Sequence, residues 1–236
     1  PFGVDADRAA ALARAMVDGG ADWRGWHIFA GSQNLDAMAI IETQAATIAL
    51  AARLSEAVGV TPPLVNLGGG FGLAYFPGDV PLDIRPIGVA LDTAFESLPD
   101  ILKGSAFAIE LGRWLVGEAG VYLTRVIDVK ISQGETFVIV DGGLHHQLAA
   151  SGNFGTVVRR NYPIALANHF GAPPAADPVT VVGCLCTPID RLGDRIALPP
   201  VQEGDLIAIF LAGAYGASAS PAAFLGHPSP REVLLG

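Results

Sequence analysis

The amino-acid sequence predicts an α/β segment followed by a mainly antiparallel β domain. In the first half, short apolar segments alternate with segments of helical periodicity, which is the pattern of βα units. In the second half, β-rich segments are separated by turn signals that contain Gly and Asp. Hydrophobic residues make up 51% of the chain and charged residues 16%, so the chain can bury a sizeable core.

The first half is predicted to contain three βα units. Asp5 can cap a helix over residues 6–18, and amphipathic patterns predict further helices over residues 36–58 and Ile87–Leu98. Predicted apolar strands are Trp26–Ala30, Leu64–Leu67 and Phe107–Glu110. Strands separated by helices pair in parallel, but three such units can neither close a barrel nor cover both faces of a sheet.

The second half is predicted to consist mostly of strands. The predicted strands are Val121–Val129, Phe137–Val140, Val179–Val182 and Leu206–Phe210. Turn signals such as Asp141-Gly142-Gly143 lie between them. We therefore divide the chain into an α/β part, residues 1–118, and a β domain, residues 119–236.

Charge and cysteine content argue against several classes of function. The formal net charge is −9 and the 14 Lys and Arg residues are scattered, which argues against nucleic-acid binding. The sequence has neither an apolar run of membrane-spanning length nor a basic-then-apolar leader, so we expect a cytoplasmic protein without membrane contact. The two cysteines, Cys184 and Cys186, have no other Cys or His nearby in sequence, so we expect no metal site.

A glycine run follows the second predicted strand, in Val65-Asn66-Leu67-Gly68-Gly69-Gly70-Phe71-Gly72. Because glycine has no Cβ, its backbone N–H groups can approach and cradle a phosphate. A dinucleotide fingerprint would need a third glycine at Leu73, and no Gly-Lys-Ser/Thr follows to make a P-loop. A tight strand exit without any ligand remains the alternative.

Two more polar segments end strands in the first half. His27-Ile28-Phe29-Ala30-Gly31-Ser32-Gln33 offers a hydroxyl and an amide to a phosphate, while His27 alone is predicted to be a core histidine. Glu110-Leu111-Gly112-Arg113 is either a structural ion pair or a clamp for a cofactor or substrate.

Two segments of the second half complete the set. Cys184-Leu185-Cys186-Thr187-Pro188-Ile189-Asp190 follows an apolar strand, although a cysteine in a β domain is usually a small core residue. Ala212-Gly213-Ala214-Tyr215-Gly216 follows another strand, and its Tyr hydroxyl could reach a crevice or simply pack.

The order and spacing of these five segments resemble the diaminopimelate, ornithine and arginine decarboxylases of the alanine-racemase-like fold, and the diaminopimelate branch most of all. The resemblance runs from Phe2 to Leu234. It implies part of a (β/α)8 TIM-type barrel followed by an antiparallel β domain, with pyridoxal 5′-phosphate (PLP) bound at the carboxyl end of the barrel. It also implies a homodimer whose active sites are shared between subunits.

The resemblance assigns the cofactor-binding residues position by position. The residues that match phosphate-binding positions are Ser32, Gly68, Gly69, Gly70 and Tyr215. Glu110 matches the carboxylate that keeps the pyridine nitrogen protonated, which lets the ring withdraw electrons from the substrate. Gly112 and Arg113 match positions near the phosphate and the substrate carboxylate.

The resemblance also assigns roles to the residues around Cys186. Cys186 matches a cysteine offered across the dimer interface, which reprotonates the carbanion after carbon dioxide leaves. Thr187 and Asp190 match positions that bind the substrate, and Thr187 replaces the acid that helps diaminopimelate enzymes hold its far end, which argues against a distal ammonium. The Asp190 carboxylate, a few residues further on, is the alternative source of that charge. Phe29 replaces a stacking histidine; it can stack on a ring but cannot titrate. Leu111 replaces the usual proline.

Residues 141–161, with His145-His146 and Arg159-Arg160, also depart from the diaminopimelate enzymes. They are similar to a divergent subgroup found beside acyl-activating or carrier-protein genes, which implies a carrier-bound substrate.

Neither lysine of the chain, Lys103 or Lys130, lies in the context that holds the cofactor in this family. We therefore expect about five barrel units and the cofactor lysine to lie in an amino-terminal part that this chain lacks.

The sequence predicts a PLP-dependent amino-acid decarboxylase with an altered substrate pocket. A racemase of the same fold is an alternative, although alanine racemases use a tyrosine base where this chain has Cys186. A non-catalytic homologue that binds a partner is the other alternative, and the missing lysine would allow it. Retention of Glu110, Arg113, Cys186 and Tyr215 together argues against decay of the site.

Overall fold

The computed structural model describes residues 3–154 and 159–236. Phe2 and residues 155–158 of the divergent segment therefore lie outside the described residues. The chain divides into two compact units. The first contains the residues up to Ala74 together with Val80–Gly112, and the second contains Tyr75–Asp79 and Arg113–Gly236.

The first unit contains a three-stranded parallel sheet, which confirms the predicted βα units. Its strands are β1 (Gly25–His27), β2 (Leu64–Asn66) and β3 (Ala106–Ala108), in that spatial order. Its helices are α1 (Ala6–Asp18), α2 (Ala37–Val58) and α3 (Arg85–Glu96). The strands are shorter than predicted, although single hydrogen bonds such as Ile28 N–H to the Asn66 carbonyl continue the register beyond them.

Helix α2 supplies most of the cover for this sheet. The Asp36 side chain caps it by accepting from Met38 and Ala39, and Gly59 ends it at φ 74°. The shared core consists of Ile48, Ala51, Ala52, Val65, Leu67 and Leu102. Among the described residues, α2 is the one helix long and apolar enough to cross a membrane by length and composition, a test that core helices also pass. Asp5 is the N-cap residue of α1, but its side chain makes no capping hydrogen bond, contrary to the prediction.

The second unit is built on a six-stranded sheet. Its strands are β4 (Tyr122–Ser132), β5 (Glu135–Val140), β6 (Ile164–Leu166), β7 (Val179–Val182), β8 (Arg191–Ile196) and β9 (Leu206–Ile209). The spatial order is β6-β9-β4-β5-β7-β8. The pairing of β5 with β7 is parallel and the others are antiparallel, so the sheet is mixed rather than antiparallel throughout. The long connection over residues 141–178 makes this parallel crossover possible.

The core of the second unit lies against this sheet. Its fully buried members include Val126, Val138, Val181, Leu192, Ile207 and Ile209. A short helix, α4 (Gly112–Val116), begins at the division between the units. Single 3₁₀ turns span Asp100–Leu102, Gly117–Ala119, Leu148–Ser151, Ala167–His169, Ala217–Ala219 and Phe224–Gly226.

Candidate cofactor and substrate site

The Glu110 carboxylate lies at the carboxyl ends of the three parallel strands. Asn66, the last residue of β2, donates from Nδ2 to Glu110 Oε1 at 3.0 Å. His27, the last residue of β1, places Nε2 3.4 Å from the same oxygen. The Glu110 side chain is 51% exposed, and no donor among the described residues reaches Oε2. Glu110 is therefore oriented from one side and open to a further donor on the other.

His27 and Phe29 share the exposed face of the first strand and its exit. Trp26 and Ile28 pack against the core under α2, so alternation places His27 and Phe29 on the opposite face. The prediction that His27 is a core histidine is therefore wrong, because its side chain is 54% exposed. Phe29 is 45% exposed, so its ring is available for stacking.

Glycine is required at residues 68–70 because the backbone after β2 packs closely against the residues that follow β1 and β3. A Cβ on Gly68 would collide with the Ile28 carbonyl oxygen, and one on Gly70 with the Gly31 carbonyl oxygen. A Cβ on Gly69 would collide with the backbone of Glu110. Gly68 and Gly70 also have φ values of 74° and 92°, where other residues are strained. The tight strand exit is thus a real property of these glycines.

The same run leaves donors free, as a phosphate cradle requires. Gly68 N–H bonds to the Asn66 side chain, whereas the N–H groups of Gly69 and Gly70 donate to no acceptor in residues 3–154 and 159–236. The Ser32 hydroxyl is exposed and has no partner within those residues either. Free amides, a free hydroxyl and an open carboxylate fit the phosphate and the ring nitrogen of PLP.

In the second unit, Arg113 lies against two tyrosines. Its Nη1 donates to the Tyr75 hydroxyl at 3.1 Å, and its guanidinium carbon lies 4.8 Å from the centre of the Tyr215 ring. Tyr215 has a left-handed φ of 57° and is 46% exposed. The structure therefore brings together Arg113 and Tyr215, which the sequence assigned separately. Gly112, one residue earlier, has open space around its Cβ position.

Asp190 is buried beneath the loop that carries Cys186. Its two carboxylate oxygens accept from Leu144 N–H at 2.6 Å and from Leu185 N–H at 2.9 Å. Burial raises the pKa of the Asp190 carboxyl above its usual range, although these two donors act in the opposite direction. Asp190 is 3% exposed, so its carboxylate holds two backbone loops together.

Cys186 and Thr187, both in this loop, differ in their exposure to solvent. Cys186 is exposed and Thr187 is half-buried. The Thr187 backbone closes the loop through bonds with Leu185 and Asp190. Thr187 presents a hydroxyl, and no charge, at its position.

Sequence reasoning did not identify Asn66 or Tyr75 as part of these clusters. The position of Asn66 next to the glycine run could have indicated a role in the site. Its contact with Glu110, however, depends on the register of β2 and β3, which the sequence does not specify. Of the two lysines, Lys103 is exposed and pairs with Asp100 at 2.6 Å, and Lys130 is an exposed residue of β4.

Residues 11–213 match the family model described as pyridoxal-dependent decarboxylase, C-terminal sheet domain. The chain is 41% identical over 213 residues to the L-glutamyl-[BtrI acyl-carrier protein] decarboxylase of Niallia circulans, with 89% of this chain and 50% of that protein covered. It is 31% identical over 234 residues to the diaminopimelate decarboxylase of Thermoplasma acidophilum, covering 99% of this chain and 54% of that protein.

Solved structures give the same result. The diaminopimelate decarboxylase of M. jannaschii in complex with L-lysine superposes with a TM-score of 0.71 at 26% identity, covering 85% of this chain and 44% of that one. The AQ1208 protein of Aquifex aeolicus superposes with a TM-score of 0.81 at 25% identity, covering 97% of this chain and 53% of that one. The chain thus spans about half the length of the curated relatives it matches. It belongs to the family of pyridoxal-dependent decarboxylases and corresponds to their carboxy-terminal part.

Proposed function

We propose that this chain forms the carboxy-terminal part of a PLP-dependent amino-acid decarboxylase whose substrate is bound to a carrier protein. The observation that carries the proposal is the half-exposed Glu110 carboxylate, oriented by Asn66 beside the free amides of Gly69 and Gly70. In this proposal the three βα units are part of a (β/α)8 barrel, whose strands end at the active site.

PLP, when bound, supplies a ring that withdraws electrons from the substrate's α-carbon. Glu110 would hold a proton on the ring nitrogen, and its open Oε2 leaves room for that contact. The exposed Phe29 ring would be available to stack on the cofactor ring. The amides of the glycine run and the hydroxyls of Ser32 and Tyr215 would bind the phosphate.

The second unit contributes the residues that act on the substrate. Arg113, which is cationic and held by Tyr75, binds the phosphate or the substrate carboxylate, with Gly112 leaving room beside it. The exposed thiol of Cys186 delivers a proton to the α-carbon in the site of a second subunit, which makes the enzyme a homodimer. Asp190 positions the Cys186 loop and, through it, the substrate pocket.

Thr187 supports a substrate with an uncharged far end. A buried distal ammonium needs a counter-charge, and Thr187 does not provide one. The relative from Niallia circulans acts on a glutamyl group attached to an acyl-carrier protein. In such a substrate the glutamyl side chain would be joined to the carrier protein through its carboxyl group, so the far end carries no ammonium that has to be neutralised.

Purification of the full-length protein with PLP tests the proposal. The bound cofactor should absorb visible light, and carbon dioxide and an amine should form from an amino-acid substrate without racemisation. Racemisation without carbon dioxide would instead identify a racemase of this fold. Absence of cofactor binding would identify a non-catalytic homologue.

A further inference from the structure

Three potential metal ligands converge at one end of the six-stranded sheet. His145 lies in the connection after β5, Cys184 in the loop after β7, and His227 in the carboxy-terminal segment. One ligand atom from each lies within 4.8 Å of the other two. The Cys184 Sγ and His227 Nδ1 atoms are already 3.7 Å apart.

His145 is the member that most needs a partner. Its side chain is completely buried, at 0% exposure, and neither ring nitrogen has a hydrogen-bond partner among the described residues. A buried polar group without a partner is rare in native proteins, so an occupant that binds this imidazole is expected. Burial, together with neighbouring His146 and His227, lowers the pKa of His145 to about 4. The imidazole is therefore neutral, which is the form that binds metals.

The adjacent His146 is already satisfied and is not part of this set. Its Nδ1 lies 3.0 Å from the Tyr122 hydroxyl and its Nε2 lies 2.8 Å from the Pro228 carbonyl oxygen. The second contact fixes the residue after His227 to the same end of the sheet. The His227 ring is thus anchored beside His145 and Cys184 by the backbone as well as by its own contacts.

We propose that His145, Cys184 and His227 bind a zinc ion. Two imidazoles and one thiolate are a donor set that zinc prefers, and three protein ligands leave a fourth position for water. In tetrahedral zinc sites the ligand atoms are about 3.3–3.6 Å apart, given the usual Zn–N and Zn–S distances. The 3.7 Å between Cys184 and His227 matches this spacing, and the His145 nitrogen has to approach the other two atoms by at most about 1.5 Å.

The contacts of Cys184 hold its thiol at this position. Its Sγ lies 3.4 Å from the Asp141 backbone oxygen, and the next residue, Leu185, donates its N–H to the buried Asp190 carboxylate. A divalent cation would displace the thiol proton when it binds. Zinc would then link the Cys184–Asp190 loop, which carries Cys186, to the connection after β5 and to the carboxy-terminal segment. This site does not depend on the proposed decarboxylase activity.

Cobalt titration tests the site. Full-length protein without a histidine tag is dialysed against a chelator and titrated with Co²⁺, which occupies zinc sites and shows a near-ultraviolet charge-transfer band when a thiolate binds it. We expect one Co²⁺ per chain, a thiolate band in the difference spectrum, and displacement by Zn²⁺. Cys184→Ser should abolish the band, and His227→Ala should weaken Co²⁺ binding by more than about tenfold.

Two matched variants serve as controls. Cys186→Ser removes the other thiol two residues away, and His169→Asn removes a histidine outside the cluster; both should bind Co²⁺ as the wild type does. Circular dichroism of every variant checks folding, and the near-isosteric Cys184→Ser and Cys186→Ser pair decides the result if His227→Ala fails to fold. Absence of saturable binding, a band that persists in Cys184→Ser, or a band lost in Cys186→Ser would overturn the proposal.

Discussion

The Asn66 side-chain amide donates a 3.0 Å hydrogen bond to the Glu110 carboxylate, and each residue comes from the carboxyl end of a different parallel strand. The bond occupies one carboxylate oxygen and leaves the other open. It therefore fixes the direction in which Glu110 can accept a proton-bearing nitrogen.

Glu110→Gln should lower decarboxylation by on the order of a hundredfold or more, because a neutral amide cannot keep the ring nitrogen protonated. Cofactor affinity, measured by PLP titration, should change less. Glu96→Gln, an exposed acid on α3, is the matched control and should leave kcat unchanged. Near-normal turnover in Glu110→Gln would remove Glu110 from the mechanism.

Asn66→Asp should shift the acidic limb of the pH–rate profile to higher pH. The new carboxylate still accepts the Gly68 N–H, but it stands about 3 Å from Glu110, where two carboxylates cannot both ionise easily. Repulsion displaces one of the two ionisations of this pair to higher pH, so both carboxyl groups are ionised only at higher pH. Asn66→Ala is the control, because it removes the hydrogen bond without adding a charge. A profile that does not move would show that Asn66 has no influence on Glu110.

Cys186→Ala and Glu110→Gln should each be nearly inactive alone but partly active when mixed as heterodimers. If Cys186 serves the neighbouring subunit, one site of each mixed dimer retains both groups. Activity is measured after co-expression with two different tags and purification through both. Verified heterodimers without recovered activity would mean that Cys186 acts within its own subunit or not at all.

Asp190→Asn should change the pH dependence of folding stability. The folded pKa of Asp190 is raised, so its contribution to stability is present below the unfolded pKa and is lost as pH rises through the folded pKa. The wild type's advantage over Asp190→Asn in free energy of unfolding should therefore decrease over that range. Urea unfolding between acid and neutral pH measures it. An advantage that grows with pH would show that the two backbone N–H donors outweigh desolvation.

Much of the first unit could be predicted from sequence because parallel strands are buried and continuous in their hydrophobicity. The pairing of β1, β2 and β3 and the position of Glu110 at a strand end follow from that pattern. Strand β8 was missed because its sequence, Arg-Leu-Gly-Asp-Arg-Ile, alternates poorly. Strand β6 was missed because it lies alone in the long connection between β5 and β7, outside the alternation with helices that marks β1, β2 and β3. The convergence of His145, Cys184 and His227 could not be predicted, because the three residues lie far apart in sequence and meet through the sheet order.

Thr187→Glu should increase turnover of diaminopimelate, because it restores the anion that a distal ammonium requires. Turnover of a carrier-bound glutamyl substrate should fall in the same variant. Thr187→Gln has nearly the same shape without the charge and should leave diaminopimelate turnover low. Equal gains in both variants would assign the effect to shape rather than charge.

The most direct test of the proposed substrate is steady-state carbon dioxide release by the wild-type full-length enzyme. L-glutamyl acyl-carrier thioester and diaminopimelate are compared at equal enzyme and PLP concentrations. We expect a clearly higher kcat/KM for the carrier-bound substrate. A kcat/KM for diaminopimelate of about 10⁴ M⁻¹s⁻¹ or above, the lower end of ordinary enzyme efficiency, with no release from the thioester, would contradict the account.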